Sequence, residues 1–160
     1  MGILYHVHCP EADLKEWVET EFNLKFPHGP SRWPTVEELK SVVEQFTGFK
    51  IKYNENKNGI PHQVVMDFVE EPKDRLYALI NIENKDEKGQ ESAFWFEKGS
   101  TELNIAITYA VSKFTGPIVI IADCGGPPII VDYSSCTLSP IDQWIDITSK
   151  DWQRFYNEAR

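Results

Sequence analysis

His6-Val7-His8-Cys9 sets two imidazoles two residues apart, which on an extended strand turns both to one side, the arrangement from which zinc or another transition metal can be held. A closed metal centre needs a second pair of ligands, and none follows at ligand spacing. His28 falls in a Pro/Gly-rich stretch and His62 at the start of a strand pattern. The segment therefore reads as a surface-exposed edge strand with polar side chains, and neither a metal nor a cofactor is expected.

Asp123-Cys124-Gly125-Gly126 follows an apolar run. A sharp turn there could expose a carboxylate or thiol nucleophile, with glycine amides to receive an oxyanion. A cysteine nucleophile needs a histidine base, and none lies near it in sequence. Gly-Gly-Pro-Pro is equally the punctuation of a hairpin. Among the other acids, Glu102 falls where a carboxylate complements the positive end of a helix. Asp67, with apolar Val65 and Val69 on its strand face, is the acid that could pair with Glu97 in acid/base work, although a salt bridge or edge position explains it as well. Asp123, Cys124 and Asp67 are thus the catalytic candidates.

Phe94-Trp95-Phe96 is a different kind of signal. Alternate side chains of a strand point to opposite faces, so Trp95 cannot share a layer with its two neighbours. Helix cover explains one face. An aromatic left on the other, beside Glu97 and scattered acids, has the character of a protein-binding surface. Trp33 and Trp144, in segments without a period, are further binding candidates.

These residues must be positioned by regular elements. Leu14, Trp17, Val18 and Phe22 recur at helical spacing behind Pro10, which predicts an amphipathic helix over 10–22. Pro27, Gly29, Pro30 and Pro34 make 23–34 a loop anchored by Phe26 and Trp33. Thr35 and Glu38 form a capping-box pattern ahead of Val36, Leu39, Val43 and Phe46, and Gly48 closes that second helix.

From Phe49 the period changes to two, and turn signals at Asn58-Gly59, Glu71-Pro72-Lys73-Asp74 and 83–91 separate four strands, near 49–54, 62–70, 75–83 and 92–97. Short connections predict an antiparallel meander. Ser100 is the expected side-chain N-cap of a third helix, in which Leu103, Ala106, Ile107, Ala110, Val111 and Phe114 trace one stripe that Ile105 and Tyr109 widen; this helix should lie on the sheet beneath a second cover. The apolar segments 118–122 and 129–131 predict a buried hairpin, and Trp152, Phe155, Tyr156 and Ala159 a short last helix behind Thr148. The expected fold is a single α+β domain of 160 residues. Its mainly antiparallel sheet, a four-strand meander plus a later two-strand hairpin, is packed by about four helices.

Composition bounds the function. An 18.5 kDa chain removes roughly two-thirds of its unfolded surface from water, enough for a core without metal or disulfide staples. Three cysteines, Cys9, Cys124 and Cys136, make no CxxC spacing and an incomplete disulfide set, so free thiols in the cytoplasm are expected. No apolar run approaches the ~20 residues of a membrane span. A net charge of −9 without a Lys/Arg cluster argues against nucleic acid and leaves a basic protein partner as the complement. No phosphate loop, dinucleotide fingerprint or hydrolase elbow is present. The leading expectation is a small acidic binding protein of the inhibitor or immunity type. The alternatives are a small hydrolase or transferase centred on Asp123 and Cys124, or a small-molecule sensor with its pocket between the sheet and the third helix. Oligomeric state is not encoded legibly.

Overall fold

Eight strands pair into one wholly antiparallel sheet in the computed structural model, which describes residues 4–27, 29–46, 48–68, 77–86, 90–123, 125, 128–134 and 137–139. The strands are β1 (Leu4–His8), β2 (Phe49–Glu55), β3 (Pro61–Phe68), β4 (Tyr77–Asn84), β5 (Ser92–Glu97), β6 (Ile118–Ala122), β7 (Ile129–Asp132) and β8 (Thr137–Ser139). Their order across the sheet is β2-β3-β4-β5-β1-β6-β7-β8. The meander of β2 to β5 and the hairpin of β6 and β7 are both present, and β8 extends the hairpin by one strand.

The largest departure from expectation is β1. It is not an edge strand: it pairs antiparallel with β5 on one side and β6 on the other, and so joins meander to hairpin. Its alternation explains the misreading. Tyr5 and Val7 are buried while His6 and His8 are exposed, a pattern that an edge strand and a central strand with one wet face share. Because β5 and β6 are both antiparallel to β1, they run parallel to each other. The crossover this demands is α3 (Thr101–Thr115).

α2 (Val36–Glu44) opens as its sequence dictates. Thr35 Oγ1 accepts the Glu38 amide at 3.0 Å and Glu38 Oε1 accepts the Thr35 amide at 2.9 Å, a complete capping box. α3 differs in two respects. Ser100 occupies its N-cap position but makes no side-chain cap bond; its Oγ instead accepts the Tyr77 amide at 3.4 Å, tying the helix entry to β4. Every residue from 103 to 112 is buried, including Asn104, Thr108 and Ser112 on the side that an amphipathic reading leaves to water. Those polar side chains turn to nearby backbone: Asn104 Nδ2 donates to the Lys98 carbonyl, Thr108 Oγ1 to that of Asn104 and Ser112 Oγ to that of Tyr109. α3 packs against α2 as well as β4, β6 and β7, so α2 supplies part of the second cover.

The Pro-rich loop crosses the exit of α3. The Arg32 amide donates to the Thr115 carbonyl and Ser31 Oγ to that of Pro117. Trp33 leans on the main core and Phe26 is buried in a smaller one, so both act as the expected anchors. The main core lies between the sheet and α2 with α3, and includes Tyr5, Val7, Leu39, Val43, Val64, Met66, Ile80, Phe94, Phe96, Leu103, Ile107, Ile118, Ile120 and Val131. α1 (Ala12–Phe22) packs on the opposite face of the sheet, where Val18 meets Val119 and Ile130 and Leu14 and Ile121 join them. α1 starts at Ala12 behind Glu11, which leaves Pro10 just outside the helix. Three helices lie among the described residues, against about four expected; the last expected helix, at 148–159, lies outside them, as do Cys124, Cys136 and Trp144. No helix among the described residues is long and apolar enough to cross a membrane.

Candidate binding surface

The two faces of the sheet are unequal. Val64, Met66, Ala78, Ile80, Phe94 and Phe96 face α2 and α3, while their neighbours in sequence face the other way. On that other side α1 covers the β6–β7 region, and no described helix covers β2 to β5. One cross-strand row runs the width of this face. Asn54 stands opposite Gln63, Gln63 opposite Asn81, Asn81 opposite Trp95, Trp95 opposite His6, and His6 opposite Ile121.

The row has a chemical direction. Asn54 Nδ2 donates to Gln63 Oε1 at 2.7 Å, and Gln63 Nε2 donates to Asn81 Oδ1 at 3.1 Å. The amide ladder therefore ends on Asn81 with its Nδ2 donors turned to no described partner, beside the partly buried Trp95, whose indole N–H also has none among the described residues. Phe94 and Phe96 are 1% and 0% exposed and meet edge to face at 5.9 Å, so the sequence triplet splits across the sheet as strand geometry demands.

Glu97, half-buried, lies on the same face as Trp95 and stands opposite Leu4. On the far side of Leu4 is Asp123, whose Oδ1 accepts the Leu4 amide at 3.1 Å while its own amide donates to the Leu4 carbonyl at 2.9 Å. The Asp123 side chain thus continues the ladder past the end of β6. Asp67 shares the open face, between Lys50 and Tyr77 in register. β4 separates it from Glu97 and the two are out of line, which puts them roughly 10 Å or more apart, beyond the reach of a shared proton. Fold and register do not bring Asp67, Glu97 and Asp123 together as an acid/base pair.

His6 and His8 point to the same side, as their spacing requires, with ring centroids 6.4 Å apart. The flanks of the strand partly desolvate His8, and that, with His6 beside it, holds its imidazole below the ordinary value. Cys9 turns toward the main core, and its burial pushes the thiol up to about 12. Among the described residues no group of three or more His, Cys, Asp or Glu is placed to hold a metal ion.

The residue that sequence reasoning missed is Trp17. It belongs to the helical stripe of Leu14, Val18 and Phe22, yet it is 41% exposed, the one large hydrophobic side chain left exposed among the described residues. Helix geometry explains the error. Trp17 and Val18 are successive, hence about 100° apart around the axis, and with Val18 fully buried against the sheet Trp17 is carried to the rim. Counting apolar residues at helical spacing does not distinguish rim from centre; the angle to the buried residue does. No family model, curated protein or solved structure matches this chain.

Proposed function

We propose that this chain is a protein-binding module of the inhibitor or immunity type, acting in the cytoplasm on a basic protein partner. The observation that carries the reading is Trp95: a partly buried indole whose N–H has no partner among the described residues, on a sheet face that no described helix covers, with Glu97 on the same strand face. A large amphipathic ring fixed on a rigid strand is the side chain that anchors protein interfaces most often, since it loses little conformational freedom on binding. The net charge of −9 supports a basic partner by steering its approach, and the free thiol of Cys9 suits a reducing compartment.

The test is co-expression with the product of a neighbouring gene that encodes a basic protein. The expected result is an equimolar complex at low salt whose association slows as salt rises. Trp95→Ala should weaken the complex by about 2 kcal/mol or more with the fold intact. Basic neighbours that pass through size-exclusion separately from this chain at low salt would count against the reading.

A further inference from the structure

The charged residues of α1 are divided between two tasks. Lys15 and Glu19 serve the second core: the Lys15 ammonium lies 5.8 Å from the Phe26 ring centroid, and Glu19 Oε1 accepts the Phe26 amide at 3.4 Å. Asp13, Glu16 and Glu21 make no hydrogen bond or ion pair with any described residue. Together with Thr20 they rim a shallow depression of about 250 Å³ whose apolar wall is Trp17. The ring of Trp17 is held edge to face against Phe22, with centroids 4.9 Å apart and planes at 79°. Lys15, Lys40 and Lys113 lie over Phe26, Tyr53 and Tyr133, whereas no described cation lies over Trp17.

An exposed indole left in water is unfavourable, and carboxylates beside it that no described cation pairs repel one another. A cation seated on the ring relieves both, because the ring face and the carboxylates attract the same charge. Guanidinium fits better than ammonium. It is planar, stacks on indole, is weakly hydrated, and forks its N–H donors to two carboxylate oxygens. α1 also lies on the same side of the sheet as Trp95, with β1 between the strand of Trp95 and the strands α1 covers, so the two surfaces share one side of the sheet.

We infer that the outward face of α1 around Trp17, Asp13, Glu16 and Glu21 is a docking site for an arginine-bearing segment of a basic protein. This rests on the basic-partner reading above and adds to it a second surface and the chemistry that surface selects.

The experiment titrates the full chain with a blocked alanine peptide carrying two arginines, followed by calorimetry, alongside the same peptide with citrulline or lysine in their place. The arginine peptide should saturate at one site, lysine should bind more weakly, and citrulline, planar but uncharged, should not bind. Trp17→Ala should weaken the arginine peptide by about tenfold, Trp17→Phe by less, and Glu16→Gln with Glu21→Gln by a similar factor that shrinks with added salt. Lys57→Ala, at the exposed turn between β2 and β3, should leave this peptide unaffected. Circular dichroism confirms folding of each variant. Equal affinity of Trp17→Ala and the wild type, or of the citrulline and arginine peptides, overturns the site. The partner assay separates the two claims. A complex with the basic neighbour that Trp17→Ala leaves untouched removes the α1 site and keeps the basic partner; arginine binding at Trp17 without any basic protein complex keeps the site and removes that partner.

Discussion

His6 and Trp95 stand opposite one another on adjacent strands, one from the start of the chain and the other from the end of the meander, and both turn to the face that α2 and α3 do not cover. Trp95 is therefore separable from the core in a way its neighbour is not. Trp95→Ala should lower folding stability by roughly 1–2 kcal/mol, from the partial burial it loses. Phe96→Ala, at a fully buried position, should lower it by about 3–5 kcal/mol. Urea unfolding of the two variants checks this; equal losses would return Trp95 to the core.

Gly116 ends α3 with φ 82° and ψ −169°, a region open essentially to glycine, and a Cβ there would run into the Pro30 carbonyl oxygen. The backbone contact exists because Arg32 and Ser31 draw the Pro-rich loop onto the helix exit. Gly116→Ala should lower stability by on the order of 3 kcal/mol, strain and contact acting together. Gly29→Ala, where open space surrounds the added carbon, should cost clearly less despite its φ of 136°. Thermal melts of the pair give the comparison.

The Arg32 guanidinium, hydrogen-bonded to Glu38 at 2.7 Å through each of two nitrogens, holds that carboxyl below its ordinary value. A depressed folded-state value means stability that is present above the ordinary glutamate value of about 4.3 and is lost as pH falls through the lowered one. Arg32 is half exposed to solvent, so screening keeps the contribution small. Glu38→Gln should cost less than about 1 kcal/mol at neutral pH, and that deficit should close in acid. Thr35→Ala, which removes the cap itself, should cost about 1 kcal/mol across the range. Chemical denaturation at neutral and acid pH separates the two.

Cys9, half-buried and with its thiol pushed up to about 12, carries almost no thiolate at neutral pH. Iodoacetamide should leave Cys9 unmodified in the native protein and label it on unfolding, as read by mass mapping of the peptide that contains it. Rapid native labelling would place the thiol in solvent.

Local signals in the sequence were sufficient wherever a single element closes its own interactions. The Thr35–Glu38 box, the turn at Asn58-Gly59, the division of Phe94 and Phe96 from Trp95, and the core stripe of α3 are each decided within a few residues by hydrogen-bond reach or side-chain period, and all are found as read. What needed the tertiary structure is what depends on a distant partner. β1 is central because β5 and β6, far along the chain, both pair with it, and no period in His6-Val7-His8 records which edges are satisfied. Ser100 makes no side-chain cap bond, and its Oγ accepts the Tyr77 amide of β4. The polar side of α3 is buried, and Trp17 is turned to solvent by the seating of Val18 on Val119 and Ile130. Sequence period determines which residues share a face. Which face meets water is decided only when long-range pairing and packing set each element against the rest.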